Sequence, residues 1–169
     1  LETHAVQIAA AANDCVVRDM TITDVAGGSW ATAAVEILGG MNHTIQGNVF
    51  WVYGGTAPAN GVVSIQGGND HLIVDNTINI MAGAAAGTVS INSAVGNAIE
   101  ILRNQINNNV ATTANQINVA TVNTKIADNV ITFNAAVGLG AVGIRVNAAM
   151  NEITGNTIRN PGGITAGGG

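Results

Sequence analysis

Asn42-His-Thr-Ile-Gln-Gly-Asn-Val-Phe50 is the stretch that decides the fold. Its pattern is N-x-x-I-x-x-N-x-(aromatic or aliphatic). Variants run from Asp14 to Ile22, Asp70 to Ile78, Ala98 to Ile106, Asn123 to Ile131 and Met150 to Ile158. The fourth position reads Val17, Ile45, Ile73, Ile101, Ile126 and Ile153, in steps of 28, 28, 28, 25 and 27 residues. The second asparagine gives Met20, Asn48, Asn76, Asn104, Asn129 and Asn156 with the same steps. Repeats of this length belong to solenoids, propellers or arrays.

Between the copies sits a second motif. It reads Ala5-Val-Gln-Ile8, Ala34-Val-Glu-Ile37, Val62-Val-Ser-Ile65, Thr88-Val-Ser-Ile91, Gln116-Ile-Asn-Val119 and Gly143-Ile-Arg-Val146. Each alternates apolar and polar, the mark of a half-buried strand. Each period then holds three short strands and leaves no room for a helix of useful length. The expectation is an all-β, single-stranded parallel β-helix, a solenoid of about six turns of 25–28 residues. Residues 1–169 are expected to form one such domain, cut from a longer chain.

Stacked turns put equivalent residues in columns about 4.8 Å apart. One outward column reads Val16, Thr44, Leu72, Glu100, Lys125, Glu152; the next corner reads Asp19, Gly47, Asp75, Arg103, Asp128, Gly155. Both alternate sign where charges become neighbours, as cross-strand pairing favours. The asparagine column predicts an amide ladder, since one amide can bond the turn above, the turn below and the corner backbone. Met20 breaks that column at its N-terminal end.

Only 9% of residues are charged, against about 25% in typical domains, which fits corners built from Asn, Thr, Gly and Ala. The net charge is −5 and the five cations, Arg18, Arg103, Lys125, Arg145 and Arg159, form no cluster, so no nucleic-acid partner is expected. No apolar run approaches a membrane span, and no membrane partner is expected. No leader peptide is visible. Cys15 alone excludes an internal disulfide. The sequon Asn42-His-Thr44 is expected to lie buried at a corner, out of reach of glycan addition.

The loops that follow each third strand are rich in small residues: Gly27–Thr32, Tyr53–Gly61, Met81–Gly87, Asn109–Asn115 and Asn134–Gly140. The 25-residue step implies a tightened corner near Thr124. Parity places Phe50 inside and Trp51 and Tyr53 outside, with Trp30 in the loop one turn earlier. These three aromatics are the candidate ligand-binding residues. Exposed Trp and Tyr suit a sugar ring, a subunit contact or packing under a loop.

Cys15, His43 and His71 fall in one column beside Asp14, Asn42 and Asp70. Three ligands on consecutive turns would span about 9.6 Å, whereas zinc needs ligands at about 2.0–2.3 Å. No metal site and no cofactor are expected. Glycoside hydrolysis needs two carboxylates, about 5–5.5 Å apart for retention or about 6.5–9.5 Å for inversion. Asp14 and Asp70 lie two turns apart, at the outer limit, and with His71 they are the catalytic candidates. The outward residues of the second motif, Gln7, Glu36, Ser64, Ser90, Asn118 and Arg145, include one acid, too few for calcium.

The runs Val16-Val-Arg-Asp-Met-Thr-Ile22, Ile45-Gln-Gly-Asn-Val-Phe50, Ile101-Leu-Arg-Asn-Gln-Ile106 and Ile153-Thr-Gly-Asn-Thr-Ile158 resemble right-handed parallel β-helix proteins of the pectin-lyase-like superfamily. The resemblance implies polysaccharide lyases, hydrolases and epimerases, and also phage tailspikes and fibres. The superfamily's galacturonase signatures are absent, so it carries no catalytic residue over. Low charge, short loops and outward Leu72, Val74 and Leu102 resemble a shaft segment packed in a trimer. The expected function is a structural shaft or adhesin-like module on a virion or cell surface, a homotrimer or a partner of neighbouring appendage subunits, touching a polysaccharide through Trp51 and Tyr53. The alternative is a polysaccharide-active enzyme using Asp14, Asp70 and His71.

Overall fold

The computed structural model describes residues 4–24, 30–138 and 141–163. The loops Gly27–Thr32 and Asn134–Gly140 lie partly outside them, as does the tail from Ile164. Among the described residues eighteen strands form three six-stranded parallel sheets around one apolar interior, a right-handed β-solenoid of six turns. Among the described residues there is no helix.

Sheet 1 stacks β1 (Val6–Ile8), β4 (Val35–Ile37), β7 (Val63–Ile65), β10 (Ile91–Ser93), β13 (Ile117–Val119) and β16 (Ile144–Val146). Sheet 2 stacks β2 (Val16–Arg18), β5 (Thr44–Gln46), β8 (Leu72–Val74), β11 (Glu100–Leu102), β14 (Lys125–Ala127) and β17 (Glu152–Thr154). Sheet 3 stacks β3 (Thr21–Thr23), β6 (Val49–Val52), β9 (Thr77–Ile80), β12 (Gln105–Asn108), β15 (Val130–Phe133) and β18 (Thr157–Arg159). Every turn thus contributes one strand to each sheet.

The register of sheets 2 and 3 is the one the motif predicts. Val17, Ile45, Ile73, Ile101, Ile126 and Ile153 pair in succession, and so do Ile22, Phe50, Ile78, Ile106, Ile131 and Ile158. In the middle turns these side chains are fully buried, as Ile45, Ile73, Phe50 and Ile78 show. Burial of one such side chain stabilises by about 1.5–3 kcal/mol.

Sheet 1 corrects the expected register in the fourth turn. Ile91 pairs with Val63, not Ile65, so Asn92 rather than Ser90 stands outward beside Ser64 and Asn118. A shift of two residues keeps every side chain on its face, so alternation cannot detect it. Polar pairing decides instead. The Asn118 Nδ2–H donates to Asn92 Oδ1 at 2.9 Å, Ser90 donates to Gln116 Oε1 at 2.8 Å, and the Ser93 and Thr121 hydroxyls meet at 2.9 Å.

The short turn is also placed differently. The step is still 28 where Ile80 of the third turn pairs with Asn108 of the fourth; between the fourth and fifth turns it falls to 26 where Ile91 pairs with Ile117 and reaches 25 where Ile101 pairs with Ile126. Most of the shortening therefore lies in the loop after β12, with one residue lost at the corner near Thr124.

Two columns of left-handed residues bracket every strand of sheet 2. Asp14, Asn42, Asp70, Ala98, Asn123 and Met150 precede it, with φ between 53° and 59°. Asp19, Gly47, Asp75, Arg103, Asp128 and Gly155 follow it, with φ between 51° and 65°. All but Ala98, Arg103 and Met150 are Asp, Asn or Gly, the residues that tolerate this region. The sharp bends that close each turn are therefore written in residue type.

Between sheets 2 and 3 the ladder asparagine follows the left-handed residue. The Asn48 Nδ2–H donates to Asn76 Oδ1, Asn76 to Asn104, Asn104 to Asn129 and Asn129 to Asn156, at 2.9–3.0 Å. The backbone N–H of each donates to the same oxygen. Asn48, Asn76, Asn104 and Asn129 are buried. At the N-terminal end Met20 supplies only its backbone N–H, 3.1 Å from Asn48 Oδ1.

Candidate functional site

The corner before sheet 2 holds the His/Cys/Asp column. Asp14, Asn42 and Asp70 are exposed on it, and the Asn42 Nδ2–H donates to Asp14 Oδ1 at 3.1 Å. Asn42 is therefore not buried, contrary to the expectation for the sequon. The next residue along points the other way. His43 and His71 are buried, and their rings stack 4.9 Å apart at an interplanar angle of 13°.

Both rings are committed to backbone. The Cys15 N–H donates to His43 Nδ1 at 3.1 Å, and the His43 N–H to His71 Nδ1 at 3.3 Å. Acceptance at Nδ1 fixes the tautomer with the proton on Nε2. Nε2–H then donates to the Gly39 carbonyl in His43 (2.9 Å) and to the Gly67 carbonyl in His71 (3.0 Å). Burial pushes the His71 pKa below its ordinary value; the neighbouring His43 adds to this, while the Gly67 carbonyl and Asp70 oppose it. The structure thus brings Asp14 and Asp70 onto one exposed column but turns His71 inward with both nitrogens occupied. Among the described residues no group of three His, Cys, Asp or Glu is placed to hold a metal ion.

The spacing Gly39-Gly-x-x-His43, repeated as Gly67-Gly-x-x-His71, carries this role in the sequence. A Cβ at Gly40, where φ is 82°, would lie 1.8 Å from the Ala12 carbonyl oxygen. Only glycine lets the turn approach its neighbour so closely.

The outward side of sheet 3 differs from the other faces. One column reads Thr21, Val49, Thr77, Gln105, Val130, Thr157, and the next Thr23, Trp51, Asn79, Asn107, Thr132, Arg159. From the second to the fifth turn neither column carries a charge. Outward positions of sheet 2, by contrast, include Arg18, Glu100, Lys125 and Glu152. Trp51 is half-buried between Thr23 and Asn79 on adjacent strands. Below it the Asn107 Nδ2–H donates to Asn79 Oδ1 at 2.9 Å. A parallel amide step follows just past the strand ends, where the Asn134 Nδ2–H donates to Asn109 Oδ1 at 3.0 Å.

Tyr53, also half-buried, is held by a residue that sequence reasoning missed. Asp24 is buried, and its carboxylate accepts the Tyr53 and Gly54 backbone N–H groups, the latter at 3.0 Å. Burial raises the Asp24 pKa, and the two N–H groups pull it back. Trp30 is part of the apolar core at 4% exposure, so it does not join Trp51 and Tyr53 on the surface. Of the outward apolar residues expected on sheet 2, Val74 is buried, and Leu72 and Leu102 are half-buried.

A second buried carboxylate lies on sheet 1. Glu36 pairs with His4 at 2.7 Å and accepts from Gln7 Nε2 at 3.1 Å and Asn60 Nδ2 at 3.0 Å. Its partners come from β1, from His4 just ahead of it and from the loop after β6, so it ties that loop over the sheet. Among the described residues no helix is long and apolar enough to cross a membrane, and no buried side-chain nitrogen or oxygen lacks a partner. Comparison with protein-family models, curated proteins and solved structures finds no match for this chain.

Proposed function

We propose that the chain is a structural β-solenoid shaft or adhesin-like module of an extracellular or virion appendage. On this reading residues 1–169 are one domain of the pectin-lyase-like kind, carried by a tail-fibre or tailspike-like protein and assembled as a homotrimer or against neighbouring appendage subunits. Its outer surface touches glycan through Trp51 and Tyr53.

The observation that carries the reading is where the polar residues go. The ladder asparagines are consumed by the turns above and below, and the buried His71 ring by the neighbouring turn at Nδ1 and by the Gly67 carbonyl of its own turn at Nε2. The exposed acids Asp14 and Asp70 have Asn42 between them, bonded to Asp14, where an attacking water would need to sit. Residues of catalytic type are thus spent on stacking.

Light scattering on the purified chain tests the assembly. A stable trimer or higher assembly is expected, and a monomer at all concentrations overturns the shaft. Assays against acidic and neutral polysaccharides test the chemistry. Depolymerisation that disappears in Asp70→Ala would establish an enzyme in place of a shaft.

A further inference from the structure

From the second to the fifth turn the outward side of sheet 3 carries no charge, and it combines two kinds of contact. An aromatic pair, Trp51 and Tyr53, stands at its second turn. Amides descend from there along the axis: Asn79, itself buried, holds the half-buried Asn107 in one column, and Asn109 with the exposed Asn134 lie beside it. We infer that this face binds a neutral polysaccharide chain laid along the solenoid axis, a deeper form of the glycan-contacting role proposed above and resting on it.

Three properties of the face select that occupant. First, an acidic polymer would need cations, and the only one on the two strand columns is Arg159 in the last turn. A basic polymer would need exposed acids, and these columns have none. Second, the ladder leaves part of each amide uncommitted. Asn107 spends one N–H on Asn79, and its oxygen accepts from Gln105 Nε2 at 3.4 Å. Asn109 spends one N–H on the Ile80 carbonyl. Each retains a second N–H and a further lone pair. Donor and acceptor side by side match a sugar hydroxyl, which is also both. Third, the face of Trp51 offers the apolar surface on which a pyranose ring stacks. Repetition every turn extends the site along a polymer rather than closing it around one sugar.

Affinity electrophoresis of the intact chain through gels holding a neutral β-glucan, a galactomannan, dextran, polygalacturonate or heparin tests the inference. At least one neutral polymer should retard migration, equally at low and high salt, and neither acidic polymer should. Trp51→Ala should weaken the retardation about tenfold. Gln105→Ala, at an exposed position, should weaken it without altering the unfolding transition, which separates lost contact from lost fold. Gln46→Ala, on sheet 2, should leave it unchanged. Three results overturn the inference: no retardation by any neutral polymer, salt-sensitive retardation by the acidic polymers alone, or retardation indifferent to both sheet 3 variants. A drop in solution mass in Gln105→Ala would assign the face to a second copy of the chain and overturn it also. A trimer that binds no neutral glycan would remove this inference and leave the shaft reading intact, whereas a glycan-binding monomer would do the reverse.

Discussion

Asn76 reaches Asn104 twice. Its backbone N–H lies 3.1 Å and its Nδ2–H 3.0 Å from the same Oδ1. Asn104 in turn donates to the Ile73 and Leu102 carbonyls and to Asn129. Asn104→Ala removes the acceptor for a buried N–H and the donor for two carbonyls at once. An unmatched buried group costs about 1–3 kcal/mol, so the loss should be about 3 kcal/mol or more. Asn156→Ala, at the half-buried end of the ladder, should cost less. Chemical denaturation of both variants checks this, and equal small losses would show the ladder to be decorative. Met20→Asn should extend the ladder by one step and stabilise by about 0.5–1 kcal/mol.

The left-handed corners give a second prediction, of opposite sign. Ala98 and Met150 hold φ of 54° and 58° at positions where the other turns have Asp or Asn. Holding a residue with an ordinary side chain there costs about 1 kcal/mol or more. Met150→Asn and Ala98→Asn should each raise stability by about 1 kcal/mol, and Gly40→Ala should lower it by more than either gain. Thermal unfolding of the three variants decides the matter. A destabilised Met150→Asn would mean that its exposed side chain makes a contact outweighing the backbone strain.

Sheets 2 and 3 were legible because their corners are fixed by residue type. An asparagine that must stack and a residue that must turn left-handed leave one register open. Sheet 1 lacks such a marker, and its misplaced fourth turn followed from a two-residue shift that keeps Ile91 inside in either register. The site was legible in part. Parity placed Trp51 outward, but it could not show that His71 turns inward, because the role of its ring depends on carbonyls four residues back. Asp24 was invisible for a related reason. Its partners, the N–H groups of Tyr53 and Gly54, lie beyond the end of a strand, where no alternation marks what stands over what.

Arg103 and Asp75 make a bidentate surface ion pair at 2.8 and 3.0 Å, with side-chain exposures of 54% and 41%. The carboxylate raises the already high Arg103 pKa. Water and salt screen such a pair. Arg103 also sits at φ 51°, so Arg103→Asn exchanges a screened contact for a relaxed corner. Its unfolding midpoint should be at or above the parent's, and the difference should grow with added salt. A clear loss of stability at high salt would show that the pair matters beyond its charge.

The His71 ring links stability to pH. Its pKa in the folded chain is below the ordinary 6.5, chiefly through burial, so in mildly acidic solution the unfolded chain holds a proton that the folded chain refuses. Stability from this group is complete above about 6.5 and is lost as pH falls from there through the folded-state value. The slope is bounded at about 1.4 kcal/mol per pH unit for one proton. Asp24 acts in the opposite sense and lower down: its raised pKa makes stability fall as pH climbs above 3.8. His71→Ile, which copies the residue that Ile99 supplies one turn on, should lower stability by leaving the His43 N–H and the Gly67 carbonyl without their ring partner. It should also flatten the loss of stability below pH ~6.5. Urea midpoints of parent and variant measured across that range give the answer. Parallel curves would show that protonation of His71 is not what acid does to this fold.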